Sequence, residues 1–377
     1  MKVLEGGFGP HDETAPALRL PDELWDSEND DALICQAVRQ ETPDVKTFVL
    51  RPVLPRRMRF QPGQFMTYAF EIGGEIINRC YTISSSPTRP DTFSITVKRV
   101  PGGPVSNWLH DNLVPGMQLK ALGPMGAFTC YAHPAPRYLF LSGGSGITPL
   151  MSMSRTFHDL GEQEDIIFVH NARTPADIIF REELELMSRL SVNFRFIPIV
   201  EGITPLSPTF GLRGRLSAPM LEMIAPDFRT REIFVCGPAP YMAAVRDLLI
   251  KSGFDMAHYH EESFNFEALS EPVQADVVLG EAMLEAAPEV KTFKVEFTKT
   301  RRAIDVPENM TVLEAAKRAG MRLPSSCTQG MCGTCKSKKL SGTVDMSHQG
   351  GIRQREIDAG MVLLCCSKPT SDLVIER

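Results

Sequence analysis

Several things are scarce or missing in this chain, and each absence excludes a class of protein. No apolar run approaches the roughly 20 residues that span a bilayer, so no membrane segment is expected. The first residues carry no basic stretch followed by an apolar core, the pattern of a secretory signal. Nine cysteines are therefore expected as thiols in a reducing, cytoplasmic compartment rather than as a disulfide framework. No Ser/His/Asp triad, no paired acid–base carboxylates and no two-His-one-carboxylate set for oxygen activation is apparent. The final substrate is thus expected to be oxidised by another protein. At 377 residues, with 43% hydrophobic and 23% charged content, the chain suits two or three ordinary globular domains.

The net charge of −6 is unevenly spread. From Lys291 to Arg377 there are 15 Lys and Arg against 9 Asp and Glu, a balance of +6, and the rest of the chain carries −12. No aromatic interleaving or nucleic-acid motif accompanies the basic segment, so no nucleic-acid partner is expected. A docking face for an acidic protein partner fits it better.

The stretch that organises the chain is CTQGMCGTC. Cys327, Cys332 and Cys335 follow a C-x4-C-x2-C spacing, and Cys365 comes after a further 29 residues. This is the ligand spacing of a plant-type 2Fe–2S cluster. A zinc knuckle brings cysteines as C-x2-C pairs and fits the four-residue gap poorly. Gly330 and Gly333 lie between the ligands, where a missing Cβ lets the backbone approach a cluster. If VLLCC is a strand, Cys366 faces away from Cys365 and is a packed spare thiol.

Upstream, residues 1–31 are rich in Gly, Pro and acids without helical or alternating period; they read as an extended lead-in that Trp25 could anchor. Residues 32–134 alternate in short runs (ALICQAVRQET, QFMTYAFEI, FSITVKRV) separated by Pro/Gly turns, the spacing of an antiparallel β-barrel. One helix is expected at Val105–Asn112. Residues 135–265 change period: YLFLS, IIFVH, FRFIP and EIFVC alternate with helical stretches, as in a doubly wound α/β domain. The strand YLFLS runs into GGSGITP, where Gly143, Gly144 and Gly146 form a turn and Thr148 lies in the first helical turn, a diphosphate site by position. No acid ends the second strand, which departs from the ordinary dinucleotide fingerprint. Residues 266–290 are acidic and small-residue-rich and read as a linker; a tether of that kind would let a terminal domain at 291–377 move.

In this order the motifs resemble the ferredoxin–NADP reductase superfamily joined to a plant-type (β-grasp, α+β) ferredoxin domain. The resemblance implies roles. RCYTIS is similar to the family's R-x-Y-[ST] motif, in which Arg79 meets flavin phosphate, Tyr81 packs on the flavin and Thr82 bonds near the ring's N5; Cys80 lies between them. Gly103, Val105 and Ser106 open the short helix that would receive a pyrophosphate, Val97 and Lys98 precede it, and Gly123 begins a turn beside the flavin. VCGPAPYM is similar to the family's CG-P-x-x-M signature, with Cys236, Gly237 and Pro238 near the nicotinamide. Glu262 and Phe264 resemble the acid and aromatic that close the flavin site. Thr82, Cys236, Glu262 and Phe264 are thus the catalytic candidates. FAD is expected, with FMN open. Arg173, without a second basic partner beside it, suggests NADH, with NADPH open. RCYTISSSP and GGSGITPLMSM look most like reductases of two-component Rieske oxygenases that demethylate glycine betaine and similar quaternary ammonium compounds. That implies a Rieske oxygenase as electron acceptor. A hybrid-cluster-protein reductase and an iron–sulfur redox sensor are the alternatives.

Overall fold

Alternating side chains build the first sheet. The computed structural model describes residues 23–27, 29, 31–202, 211–264, 291–321, 323–325 and 328–377. Six antiparallel strands come first: β1 (Ala32–Thr42), β2 (Val45–Pro52), β3 (Phe65–Ile72), β4 (Glu75–Thr82), β5 (Phe93–Lys98) and, after helix α1 (Pro104–Asn112), β6 (Gln118–Met125). Their order is β4-β3-β6-β1-β2-β5. A bridge between Ile83, just past β4, and Ile95 of β5 joins the two edge strands and closes the sheet into a barrel at that point. Its interior holds Leu33, Phe48, Tyr68, Phe93 and Ile95, all fully buried. Trp25 from the lead-in also enters this core, and its backbone N–H donates to Arg57 O at 2.9 Å. Helix α1 starts one residue earlier than expected, at Pro104, where a residue without an amide hydrogen opens a helix at no cost.

The period change after residue 134 produces a parallel sheet. Its strands are β7 (Arg137–Gly143), β8 (Asp165–Ala172), β9 (Phe194–Val200), β10 (Leu212–Arg213), β11 (Glu232–Gly237) and β12 (Tyr259–Ser263), ordered β10-β9-β8-β7-β11-β12. Helices α2 (Ile147–Leu160), α3 (Arg181–Leu190), α4 (Ala218–Ile224) and α5 (Ala239–Lys251) connect them. From Tyr138 to Gly143 every residue of β7 is buried, because helices cover both faces of a parallel sheet and leave no side to water. Strand order reverses between β7 and β11, so the turns after these two strands open side by side at the carboxyl edge.

The last unit is mixed. Strands β13 (Thr292–Phe297), β14 (Arg302–Pro307), β15 (Lys336–Ser341), β17 (Met361–Leu363) and β19 (Leu373–Glu376) form one sheet in the order β14-β13-β19-β15-β17, while β16 (Val344–Met346) pairs with β18 (Ser367–Pro369). In β13, Phe293, Val295 and Phe297 point inward while Thr292, Lys294 and Glu296 point out. Helix α6 (Val312–Arg318) is capped by the Thr311 hydroxyl, and a short α7 (Gln354–Asp358) precedes β17. The linker expected at 266–290 lies outside the described residues, as do residues 1–22.

Candidate cofactor sites and the seam between them

Strand β4 ends in the R-x-Y-T stretch because its partner β3 pairs with it residue for residue, Thr67 opposite Cys80 and Met66 opposite Tyr81. That pairing aims the stretch at a cavity of about 370 Å³, within the usual range for small-molecule sites. Arg79, Cys80, Tyr81 and Thr82 line its barrel side, with Val97 and Lys98 from β5. Gly103, Val105 and Ser106 at the start of α1 form its far end, and Thr148 and Phe264 close it from the nucleotide lobe. Among the described residues the buried Thr82 hydroxyl has no hydrogen-bond partner, a cost that a group bound in this cavity would remove. Free amides at the α1 start, an Arg fork and an aromatic face are the donor set of a flavin phosphate and ring. Gly123 is not among the lining residues. A Cβ there would press on Met66 Sδ and Phe65 O, so this glycine serves packing within the barrel.

A second cavity of about 370 Å³ lies at the strand reversal. Gly143, Gly144, Arg173 and Pro238 line it, and Lys98 borders both cavities. Gly144 has φ +53° and open space beside it. Gly146 is glycine for another reason: a Cβ would meet Cys236 O at 2.3 Å, because the two switch-point turns touch. Cys236 and Gly237 sit behind this contact and line neither cavity. Cys236 pairs across the sheet with Glu262. Burial holds the Cys236 thiol well above its ordinary range, and it pushes the Glu262 carboxyl up to about 8. Glu262 is therefore a neutral acid at pH 7, and its buried Oε2 has no partner among the described residues.

The reading of Arg173 as unsupported by a second base is corrected. Arg215 lines the same cavity, carried there by the pairing of β10 with β9, a contact across strands that sequence proximity does not reveal. Each arginine meets acids: Arg173 reaches Asp177 at 2.8 Å and Asp44 at 3.4 Å, and Arg215 reaches Glu201 at 2.9 Å. At the end of β8, His170 is fully buried, its Nδ1 at 2.8 Å from Ser142 Oγ, and burial lowers its pKa to about 3. It stays neutral and serves the sheet.

The cysteine loop folds against β17 and the turn that follows it. Cys332, Cys335 and Cys365 are buried; Cys327 lies outside the described residues. Gly330 N–H donates to Cys365 Sγ at 3.2 Å. Contact with the Cys365 thiol, then burial, drives the Cys335 thiol far above its usual range. A pair of thiolates that close together needs positive charge between them, which is what iron supplies. Among the described residues no three His, Cys, Asp or Glu side chains surround a single point. A two-iron cluster takes its four thiolates as two pairs, so a three-ligand set is not required. The expectation for Cys366 is corrected: Cys365 and Cys366 occupy a turn between β17 and β18, not a strand, and the two thiols touch. Gly330 (φ +73°) is held there because a Cβ would strike Cys366 Sγ and His348 Cα, and Gly333 (φ +67°) because one would strike Gly351 O.

This loop rests on the barrel. Thr67 Oγ1 donates to Cys332 O at 2.9 Å, Cys80 Sγ to the same carbonyl at 3.4 Å, and Asn78 Nδ2 to Gly333 O at 3.3 Å. Cys332 joins a small apolar cluster with Phe65, Leu122 and Met125. Arg353 reaches Asp31 at 3.0 Å and Ala121 O at 2.7 Å, and Arg355 shares the Asp31 oxygen. Sequence reading missed Thr67, Asn78 and Arg353; nothing near them in the chain marks them.

Three family matches coincide with these units: an oxidoreductase FAD-binding domain over residues 33–130, an oxidoreductase NAD-binding domain over 140–247, and a 2Fe-2S iron-sulfur cluster binding domain over 295–370. The glycine betaine monooxygenase reductase subunit of Pseudomonas aeruginosa is 49% identical over 91% of this chain and 94% of its own length. The chain belongs to that reductase family. It is an NAD(P)H-dependent oxidoreductase that uses FAD and a 2Fe–2S cluster. Another member of the family, the stachydrine N-demethylase reductase subunit of Rhizobium meliloti, is 39% identical over 91% of this chain and 96% of its own length. The fold is also that of phthalate dioxygenase reductase, at a TM-score of 0.53, 23% identity, and coverage of 92% of this chain and 97% of that one. No helix among the described residues is long and apolar enough to cross a membrane.

Proposed function

We propose that this reductase carries electrons from NADH to a Rieske-type oxygenase that demethylates glycine betaine or a similar quaternary ammonium compound. The observation that carries the reading is the abutment of the flavin cavity and the cluster loop, joined through Thr67, Cys80 and the Cys332 carbonyl. The names of the relatives supply the substrate class.

A flavin held by these residues would supply the chemistry that accepts a hydride from a nicotinamide, and a 2Fe–2S cluster the one-electron chemistry that passes the electrons on singly. The overall balance would be NADH to NAD⁺, one proton and two electrons for the acceptor. Arg79 and the α1 amides would hold the flavin phosphates, Tyr81 would cover the ring, and the unpartnered Thr82 hydroxyl would bond it. Phe264 would cover the opposite face and yield to the nicotinamide. Glu262, kept neutral by burial, would hold a proton beside Cys236 at the nicotinamide end. The acids Asp177 and Glu201, each on an arginine of the nucleotide cavity, would repel a 2′-phosphate and so favour NADH.

An anaerobic NADH titration of the cluster-loaded protein, with NADPH in parallel, tests the relay. About three electrons per chain, with flavin bleaching and a 2Fe–2S EPR signal, is the expected result. Reconstitution with the candidate oxygenase should then give NADH-dependent demethylation. Flavin reduction with a permanently oxidised cluster would favour the redox-sensor alternative instead.

A further inference from the structure

Two hydroxyl- and thiol-bearing side chains span the gap between the two redox sites. Cys80 lines the flavin cavity between Arg79 and Tyr81. Its thiol points across the seam, donates to Cys332 O at 3.4 Å, and also touches the Cys332 thiol and the Thr334 hydroxyl. Thr67, its register partner on β3, is 4% exposed and donates to the same carbonyl at 2.9 Å; its oxygen lies 3.4 Å from the Cys80 sulfur. One cluster ligand is therefore held, at both its carbonyl and its sulfur, by residues of the flavin barrel.

We propose that Cys80 and Thr67 are positioning residues for transfer from flavin to cluster. They fix Cys332 against the flavin strand, and the Cys80 S–H and Thr67 O–H, both donated to the Cys332 carbonyl, draw electron density from the ligand and ease reduction of the cluster. The proposal rests on the relay described above. Two physical reasons support it. Hydrogen bonds to a cluster's ligands raise its reduction potential. A connected path of bonded atoms from Cys80 to Cys332 also avoids a gap through solvent or open space. The electron balance is unchanged: each electron leaving the flavin side enters the cluster, two per NADH, with one proton released.

The test compares C80V (similar volume, no donor), C80S (donor kept) and T67V with the parent, all as cluster-loaded full-length protein. Stopped-flow mixing with NADH separates the flavin phase from the cluster phase, and the reading is the ratio of the two rates. Potentiometric titration followed by EPR gives the cluster potential independently of turnover. The expected result is a roughly tenfold fall in the ratio for C80V, a smaller fall for T67V, and recovery in C80S. The cluster potential should become more negative in C80V and T67V and return toward the parent in C80S. A C80V protein with an intact EPR signal, parental ratio and parental potential overturns the proposal. A fall in C80S equal to that in C80V also overturns it, since the donor would then be irrelevant. Failure of the parent itself to reduce its cluster with NADH would instead overturn the relay, and the titration above reads that separately.

Discussion

The barrel meets its two neighbours in different ways. Against the nucleotide lobe the seam is continuous core: Val45 and Phe128 share one cluster with Phe140, Met153 and Phe234. Polar contacts flank it. Arg155 takes Glu183 in a two-pronged pair at 2.7 and 2.6 Å and Ser84 O at 2.5 Å, and Ser152 donates to Ser85 O at 2.7 Å. Against the cluster unit the apolar contact shrinks to four buried residues, an Arg353–Asp31 clasp and a few hydrogen bonds to backbone carbonyls. A cavity of about 500 Å³ remains beside it, lined by Lys120, Lys338, Glu75 and Glu376 among others. The first seam is built like a domain interior and the second like a docking contact. Hydride transfer needs a nicotinamide and a flavin held in one geometry. Delivery to an outside protein is served by a cluster that is only docked.

The largest expected effect breaks the fixed seam. Arg155→Ala removes the pair with Glu183 and the bond to Ser84 O. It should destabilise the flavin–nucleotide module by about 3 kcal/mol, read from urea denaturation followed by flavin release. An effect below about 0.5 kcal/mol would mean the apolar core alone holds this seam.

Next comes the pH response of the module. Glu262 has a folded pKa of about 8 against an ordinary 4.5, so the folded state keeps a proton the unfolded chain loses. Its contribution is fully present below about pH 4.5 and is lost as pH rises through 8, on the order of a few kcal/mol. Glu262→Gln should flatten the fall in stability between pH 5 and 8.5, measured by denaturant midpoints; an unchanged slope would assign it to other groups.

The docking seam should yield to smaller changes. Arg353→Ala removes the clasp on Asp31 and Ala121 O and should weaken docking by about 1–2 kcal/mol. The measurement is the rate of the cluster phase, with far-UV circular dichroism showing that the fold persists. Finally, raising salt from 0.05 to 0.5 M should slow the cluster phase a few-fold and leave the flavin phase nearly constant, because the clasp is part-exposed and ionic while the other seam rests on a continuous apolar core beside its one ion pair. Equal salt sensitivity of both phases would erase the distinction between the two seams.

Much of the fold was legible because its signals are local. Alternation marked β1 to β6, and the move to buried apolar runs marked β7, β8, β9 and β11. The cysteine spacing could be read for the same reason: a cluster loop is a short segment whose ligands lie within nine residues, with one distant strand-end partner. The R-x-Y-T stretch was legible as a pattern. The resemblance also put the α1 start and Phe264 at the flavin; that Thr148, expected at the nucleotide turn, lines the flavin cavity was not legible, since it comes from another domain.

What the chain by itself determined are the three domains and their order, because each is a contiguous run of one periodicity; the cysteine spacing marked the cluster, and resemblance to a known family named the flavin. The tertiary structure decided how those units face one another. Arg215 entered the nucleotide cavity through strand pairing, Gly146 proved to be a packing glycine, and Thr67, Cys80 and Arg353 became seam residues through contacts 230 or more positions apart. Such contacts depend on how finished surfaces fit, and a single sequence carries no periodic mark of that.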